Sequence, residues 1–350
     1  MICKFPRLPD CLAWPFYTVA ARNIFLPILR LFAALMLFAG LFTVPAGAGS
    51  AATNQPTVIL VVGAAGEPDF SSNFVRQVEH WTNACDRGHA KTICLGLVDN
   101  PRGSDHDRLK ESLTSQPTEN GDPLWLVFIG HGTFDGKEAR FNLRGPDVTA
   151  AELRDWLQPF RRPLVFIDTT SASAPFLNQL SATNRVIVTA TRSGNEQNFA
   201  RFGLCFADAL VNGDSDLDKD GQTSVLEAFL SASTHVAEFY KTGGRLATEH
   251  ALIDDNGEGL GTPADWFRGV RPIKKPEGSA AVDGARAHQL HLVLSQAEQE
   301  LPAGIRTKRD ALELSIARLR ETKAQRSEEE YYRELETLLI QLQQVYGSNL

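Results

Sequence analysis

Cysteines are few in this sequence, and basic residues are not in excess. Five cysteines occur among 350 residues, and none of them has the spacing of a metal-ligand motif. So few cysteines in so long a chain argue against a disulfide-stapled scaffold. Lys and Arg number 35 against 42 Asp and Glu, giving a formal net charge of -7, which argues against nucleic acid as the main partner.

Apolar residues are plentiful by comparison. They make up 43% of the chain, while charged residues make up 22%. This balance excludes a disordered chain and supplies enough material for a buried core. The length is that of one or two domains.

The first 48 residues have the pattern of a secretory signal. Basic residues precede an uncharged apolar run over residues 31–44, and Ala46-Gly47-Ala48 forms a small-x-small cleavage pattern. An uncleaved membrane anchor is the alternative, although the run is short for a span of roughly 20 residues. We predict a signal peptide over residues 1–48, a secreted or periplasmic protein in an oxidising compartment, and no stable membrane span after cleavage.

Short apolar runs alternate with helical patterns over residues 55–260. The predicted strands cover residues 57–63, 92–97, 124–129, 164–167 and 185–189. Helical patterns separate them, including a capping box from Thr149 to Glu152. This alternation predicts an α/β fold with a mostly parallel sheet and helices on both faces. Functional groups in such sheets lie at the carboxyl ends of the strands.

The C-terminal part of the chain has a different composition. Residues 261–278 are rich in proline and glycine and predict a linker or surface strap. Residues 279–350 predict an α-helical hairpin, with one helix over Ala285–Glu300 and a second capping box from Ser327 to Glu330. The apolar stripes of these helices have two interpretations: packing within the molecule, or a coiled-coil surface for a partner or for oligomer formation through residues 279–350.

Residues 216–227 match the twelve-residue EF-hand loop. The predicted metal ligands are Asp216, Asp218 and Asp220 at positions one, three and five, the Gln222 carbonyl at seven, Ser224 at nine and Glu227 at twelve. Gly221 stands at position six, where the loop turns sharply. Hard oxygen ligands at these offsets predict Ca²⁺. Residues 254–259 are a weaker acidic cluster, for which a surface turn is the default interpretation and a degenerate second site the alternative.

Two strand ends resemble motifs of the caspase-like fold, which caspases, metacaspases, legumains and gingipains share. Leu124–Gly132 (LWLVFIGHG) is similar to the strand, histidine and glycine of that fold, and Leu164–Ser173 (LVFIDTTSAS) is similar to its second motif. Asn184–Gly194 (NRVIVTATRSG) resembles the next strand and its pocket loop. The resemblance covers about residues 55–260.

The resemblance also implies residue roles. His131 corresponds to the catalytic histidine, and the amide of Gly132 to an oxyanion-hole donor. Asp168 corresponds to an acid that binds a basic substrate side chain. Thr170 stands at the position of the nucleophilic cysteine, and Ser173 at that of the last glycine in the motif.

The missing cysteine decides among the functions. A hydroxyl is far less acidic than a thiol and needs a well-placed, oriented base, and the sequence shows no orienting acid for His131. The remaining thiols do not stand at the nucleophile position. We expect Cys205 to be a core residue, and Cys85 and Cys94 to be core thiols or to form a disulfide.

Three functions follow from these observations. The first is a secreted, calcium-binding pseudopeptidase that binds a protein or peptide ligand. The second is a hydrolase that uses Thr170 or Ser171 with His131. The third is a calcium-dependent structural or assembly protein that acts through its C-terminal helices.

Overall fold

The computed structural model describes residues 55–98, 103–119, 121–278 and 281–347. The predicted signal peptide over residues 1–48 lies outside the described residues, together with Cys3 and Cys11. Within the described ranges, no helix combines the length and the apolar character that crossing a membrane requires.

The strands form one large sheet and two small ones. In chain order they are β1 (Thr57–Val62), β2 (Lys91–Leu95), β3 (Leu124–Ile129), β4 (Gly132–Phe134), β5 (Ala139–Phe141), β6 (Val148–Thr149), β7 (Leu164–Asp168), β8 (Arg185–Thr189), β9 (Leu252–Asp254), β10 (Thr262–Pro263), β11 (Phe267–Arg268) and β12 (Arg271–Pro272). The large sheet has seven strands in the order β10-β9-β8-β7-β3-β1-β2. Five of its strands, β2, β1, β3, β7 and β8, are parallel to one another, whereas β9 and β10 pair antiparallel at one edge.

Helices cover both faces of this sheet and continue beyond it. They are α1 (Pro68–Arg87), α2 (Asp105–Thr114), α3 (Ala150–Leu157), α4 (Ala174–Leu180), α5 (Phe202–Ala209), α6 (Val225–Thr242), α7 (Ala285–Gln289), α8 (Gln296–Glu300), α9 (Ala303–Glu321) and α10 (Glu328–Gly347). The α/β class, the mostly parallel sheet and the C-terminal helical hairpin are therefore confirmed. Both predicted capping boxes form, at the start of α3 and at the start of α10.

The core lies in two layers because successive side chains of a strand point to opposite faces. Val58 and Leu60 of β1 belong to one apolar cluster, which contains Trp81 of α1 and Phe229 of α6. Ile59, between them, belongs to the other cluster, which is completed by side chains from α2, α3 and α4. The central strands are buried on both sides, which explains why they read as unbroken apolar runs in the sequence.

The predicted helix over Ala285–Glu300 is wrong. The chain leaves α7 at Leu290, whose backbone is extended (φ -100, ψ 115), and becomes helical again only at α8. The Leu290 carbonyl accepts a hydrogen bond from the Val225 amide at 2.9 Å, and His291 forms a β-bridge with Ser224. Because Leu292 is buried in the core, packing against α6 overrides the helical pattern of this segment.

The acidic segment after β9 is not the solvated surface turn expected from the sequence. Asp254 is 0% exposed, and its carboxylate accepts hydrogen bonds from the amides of Gly257 and Gly259. Asp255 accepts from the amides of Gly284, Arg286 and Ala287, and so caps α7. These backbone donors explain how a run of acids lies in the protein interior, and they join the sheet edge to α7.

Candidate functional site

The two motif-bearing strand ends are neighbours. β3 and β7 pair in parallel, with Phe128 opposite Asp168. The Thr169 amide donates to the Phe128 carbonyl at 3.1 Å, and its hydroxyl donates to the same oxygen at 2.7 Å. Parallel pairing therefore brings the loop after β3 and the loop after β7 to one edge of the sheet. We call His131, Gly132, Asp168, Thr170 and Ser171 the strand-end site.

His131 is half-buried among aromatic rings. Its Nε2 lies 3.3 Å from the Ala65 carbonyl oxygen, which is hydrogen-bonding distance for an Nε2–H donor. The rings of Phe70 and Phe74 approach the imidazole edge-on, with centroids 4.7 and 5.3 Å away. Throughout the described part of the chain, no hydrogen bond joins His131 to Thr170.

Thr170 is 0% exposed and is bonded to Asp168. Its hydroxyl Oγ1 donates to Asp168 Oδ1 at 2.6 Å, and its amide donates to the same oxygen at 3.0 Å. The nearest base to the hydroxyl is therefore Asp168 rather than His131. A carboxylate that receives a basic substrate side chain must face solvent, whereas Asp168 is itself 0% exposed. The pocket role of Asp168 stays a prediction that this geometry does not favour.

The environment of Asp168 changes its protonation. Burial raises the pKa of this carboxyl to about 7, because the charged form loses its hydration, and the two hydrogen bonds from Thr170 oppose the rise. Asp168 Oδ2 is buried without a hydrogen-bond partner in the structure. Near neutral pH the group therefore carries a proton for a substantial part of the time.

Gly132 and Ser171 connect the two strand ends. The Gly132 amide donates to Ser171 Oγ at 3.2 Å, and Ser171 Oγ donates to the Gly132 carbonyl at 3.0 Å. A Cβ at position 132 would lie 2.2 Å from the Ser171 carbonyl oxygen and 2.8 Å from Thr170 Oγ1, so only glycine fits. The amide predicted as an oxyanion-hole donor is thus already bonded to a side chain of the same site.

The loop that carries Thr170 is also held from the next strand. Ser173 Oγ and Thr191 Oγ1 lie 3.0 Å apart, and the Thr191 amide donates to Ser173 Oγ at 3.1 Å. Ala172 has φ +54, a left-handed conformation that costs a non-glycine residue energy. Its amide donates to the Glu196 carbonyl at 2.8 Å. Ser173 therefore has a structural partner.

Sequence reasoning missed a charged cluster beside this loop. Glu196 Oε1 lies 2.6 Å from His250 Nδ1 and 3.3 Å from Arg192 Nε. The second carboxylate oxygen accepts from the amides of both partners. Since His250 is far from the other two in sequence, no local spacing could have indicated the cluster.

An apolar cavity of about 710 Å³ adjoins the cluster. Arg192 and His250 belong to its lining, together with Phe202, Leu230 and Phe267. Such a combination of apolar walls and a few charged groups is typical of ligand sites. Ala190 of the lining donates its amide to the Asp168 carbonyl at 2.9 Å, so this candidate binding volume is connected to the strand-end site.

The EF-hand-like segment, residues 216–227, follows a short 3₁₀ turn and ends in the first turn of α6; we call it the acidic loop. Asp216, Asp218 and Asp220 each place a carboxylate oxygen within 4.8 Å of the others. Gly221 has φ +89, and its amide donates to Asp216 Oδ2 at 3.0 Å. The left-handed turn expected at position six is therefore present.

The remaining predicted ligands lie where α6 begins. Glu227 is 0% exposed, and its Oε1 accepts from the amides of Leu217 and Asp218 at 2.8 and 3.2 Å. Its Oε2 accepts from the amide and the hydroxyl of Ser224, in a capping box that starts the helix. The Gln222 side chain donates to Asp220 Oδ2 at 3.0 Å. Six oxygen-bearing side chains thus belong to this one loop, a donor set that suits a hard cation.

A residue outside the loop, which sequence reasoning did not include, also reaches this site. His288 Nε2 lies 3.0 Å from Asp218 Oδ2. The chain after α7 makes a second contact with the loop: the Ser295 amide donates to Gln222 Oε1 at 3.1 Å. No motif in the sequence indicates these contacts, because they arise from packing of the chain after α7 against the loop.

The three cysteines in the described ranges are free thiols. Cys85 is buried and Cys94 is exposed, and no disulfide joins them. Cys205 is partly buried against the core, and burial raises the pKa of its thiol to about 11. Burial also raises the pKa of the Cys85 and Cys94 thiols. Each thiol is therefore less acidic than an activated nucleophile, and the strand-end site contains none of them.

Comparison with known proteins gives matches to solved structures alone. No family model and no curated protein matches the sequence. The Drosophila initiator caspase Dronc is 13% identical, with 60% of this chain and 82% of that chain covered and a TM-score of 0.39. Caspase-1 from Spodoptera frugiperda is 8% identical, with 57% and 86% covered and a TM-score of 0.37.

A secreted C11 cysteine protease from Bacteroides thetaiotaomicron is similar to the same degree. It is 11% identical, with 57% of this chain and 66% of that chain covered and a TM-score of 0.37. Because every one of these TM-scores is below 0.5, we conclude nothing about the chemistry of this chain from the three neighbours.

Proposed function

We propose that this protein is a secreted, calcium-binding, caspase-like pseudopeptidase that acts by binding a protein or peptide ligand. The state of Thr170 is the observation that carries the proposal. Its hydroxyl is buried and donates to Asp168, while the hydrogen bond of His131 goes to the Ala65 carbonyl. A nucleophile must be exposed to substrate and bonded to the base that activates it. Thr170 is 0% exposed, and its hydroxyl is bonded to the buried Asp168 instead of to His131.

The alternative hydrolase would require both motif loops to rearrange. Ser171 offers no simpler route, since its hydroxyl is bonded to the amide and carbonyl of Gly132. Freeing the Gly132 amide for an oxyanion would break the contact that joins the strand ends. We therefore retain the binding function and expect no peptide turnover.

A cleavage assay tests this part of the proposal. Fluorogenic peptides with Arg or Asn before the scissile bond are incubated with the full chain, with and without Ca²⁺. We expect no turnover by the wild type or by Thr170→Ala. Turnover by the wild type that disappears in Thr170→Ala would contradict the proposal.

The apolar walls of the cavity favour a ligand that inserts an apolar side chain there. An environment-sensitive dye, 1-anilinonaphthalene-8-sulfonate, serves as the probe. Ala237 lines the cavity, so Ala237→Trp fills part of it and should weaken dye binding. Glu238→Trp, on the same helix but outside the lining, is the matched control. Equal dye affinity in both variants would place the dye elsewhere and would remove the support that the cavity gives.

Calcium binding at the acidic loop has its own test. Equilibrium dialysis with Ca²⁺ compares the wild type with Glu227→Gln, which removes the carboxylate at position twelve. Glu238→Gln, an exposed change on the same helix, is the control. We expect Glu227→Gln alone to weaken binding. Equal binding by all three proteins would place calcium outside the acidic loop.

Assembly through the C-terminal helices is the second candidate. Leu339 and Ile340 of α10 are 47% and 48% exposed, and large exposed apolar groups of this kind favour an interaction surface. Removing residues 279–350 is too blunt a test, because Ala287 and Leu292 belong to the main core. The double variant Leu339→Gln and Ile340→Gln leaves that core intact. If the wild type sediments as an oligomer and the variant as a monomer, the assembly role is supported; identical sedimentation would exclude this face.

A further inference from the structure

A second set of donor atoms overlaps the acidic loop. Asp218, Glu227 and His288 each offer one ligand atom, and the three atoms all lie within 4.8 Å of one another. Two of these residues belong to the EF-hand pattern, whereas His288 comes from α7. The site is therefore built from two parts of the chain.

The position of His288 is fixed by packing. The α7 helix is anchored by Asp255, whose carboxylate accepts from the amides of Arg286 and Ala287 at 2.8 Å each. After it, the Leu290 carbonyl accepts from the Val225 amide, and Leu292 is 1% exposed. A residue held on both sides by such contacts approaches the loop in a defined geometry, which distinguishes His288 from a mobile surface histidine.

The three donors differ in kind from those of a calcium site. Calcium takes oxygen ligands, whereas Zn²⁺ and related transition ions also take an imidazole nitrogen, alone or together with carboxylates. Ligands around tetrahedral Zn²⁺ lie roughly 3.4 Å apart, given metal–ligand bonds of about 2.1 Å. His288 Nε2 and Asp218 Oδ2 are 3.0 Å apart, which is close to this spacing, and the Glu227 ligand atom lies within 4.8 Å of both.

We propose that Asp218, Glu227 and His288 form a binding site for a divalent transition-metal ion, with Zn²⁺ as its representative. Three protein ligands leave a fourth position for water. Both His288 and Asp218 are about one third exposed, at 36% and 31%, so an ion reaches them from solvent. The inference rests on the proposed use of the acidic loop as a metal site and adds a second class of ion to it.

The two ions exclude each other at this site. Asp218 and Glu227 belong to both ligand sets, and a carboxylate turned towards His288 is withdrawn from the centre of the loop. Zinc should therefore displace calcium in proportion to its occupancy. Loss of His288 should affect zinc alone, because His288 lies outside the calcium pattern.

Isothermal titration of the full chain with ZnCl₂ alone, with CaCl₂ alone, and with CaCl₂ after saturation with ZnCl₂ tests this inference. The variants are His288→Ala and His288→Gln; the second keeps a hydrogen-bond donor towards Asp218 but removes the imidazole nitrogen. His235→Ala, an exposed histidine on α6, is the control. Both His288 variants should lose zinc affinity by at least about tenfold, the lower end of what even outer ligand partners contribute. Their calcium affinity and both affinities of His235→Ala should be unchanged.

The two proposals fail in different ways. Equal zinc affinity in the wild type and both His288 variants would overturn the zinc site, whatever calcium does. Simultaneous binding of both ions without competition would contradict the claim that the two sites share Asp218 and Glu227. If the wild type binds no calcium but its zinc binding depends on His288, the zinc site stands and the calcium proposal is withdrawn.

Discussion

The strand-end site and the acidic loop contain similar residue types and use them in opposite ways. At the strand ends, the hydroxyls of Thr170 and Ser171 are bonded within the site, and Asp168 is 0% exposed. In the acidic loop, three aspartates turn carboxylate oxygens towards a common centre within 4.8 Å of one another. The difference teaches that residue type alone does not define a site: similar side chains are bonded to one another at the strand ends, whereas the carboxylates of the acidic loop are gathered close together.

The backbone explains why the two regions differ. In the acidic loop, amide groups of the loop itself hold the carboxylates in place, as the amides of Lys219 and Gly221 do for Asp216. At the strand ends, the amides of Gly132 and Thr170 are bonded to side chains of the site itself. A ligand approaching the strand ends therefore meets no free donor from these residues.

The substitution Asp168→Asn in the strand-end site should have the largest effect on stability. The pKa of Asp168 is raised in the folded state, so the protonated carboxyl is the form that stabilises the fold. Its contribution to the free energy of unfolding is complete below the unfolded pKa near 3.8 and is lost as the pH rises towards about 7. Asparagine is neutral throughout. We expect the variant to gain up to about 4 kcal/mol in the free energy of unfolding, relative to the wild type, between pH 4 and pH 8.

Urea unfolding at a series of pH values measures this difference. Asp86→Asn, at an exposed position, is the control and should follow the wild type at every pH. Parallel profiles for Asp168→Asn and the wild type would show that Asp168 is ionised at little cost, and the site would then be more open to water than its burial indicates.

Gly132→Ala should have the next largest effect. The added methyl would meet the Ser171 carbonyl oxygen at 2.2 Å, so the two strand ends must move apart, at a cost of about 3 kcal/mol in the free energy of unfolding. Gly304→Ala is the control, since nothing lies within 4 Å of its added methyl. Chemical denaturation compares the two; a cost below 1 kcal/mol for Gly132→Ala would mean that the strand ends separate easily.

Calcium should stabilise the protein through the acidic loop alone. At a hundredfold excess over Kd, binding to the folded state adds about 2.7 kcal/mol to the free energy of unfolding. We expect this gain in the wild type and in Thr170→Val, and its loss in Glu227→Gln. Thermal unfolding with Ca²⁺ or with EDTA measures it. A smaller calcium effect in Thr170→Val than in the wild type would show that the two regions are coupled and would break the comparison.

Local patterns in the sequence predicted more of the fold than of the sites. The strand over 185–189 and the capping box at Thr149 depend on neighbouring residues, and both form. His288 reaches Asp218, and Glu196 reaches His250, through packing between distant segments, which no spacing records. The burial of Asp254 has a local cause instead: backbone amides of its own turn bind the carboxylate, and the acidic composition of the segment does not reveal them.

Ser171→Ala should have the smallest effect on stability, and it tests directly whether Ser171 closes the strand-end site. It removes the hydroxyl that bonds both the amide and the carbonyl of Gly132, at a cost of about 1–2 kcal/mol. Ser72→Ala, on the exposed side of α1, is the control. Amide hydrogen exchange gives the direct readout, since the Gly132 amide should lose protection in Ser171→Ala alone. If that amide stays protected, it is shielded by burial rather than by Ser171. The strand-end site would then be closed by the fold around it, and restoring an oxyanion donor would require more than one substitution.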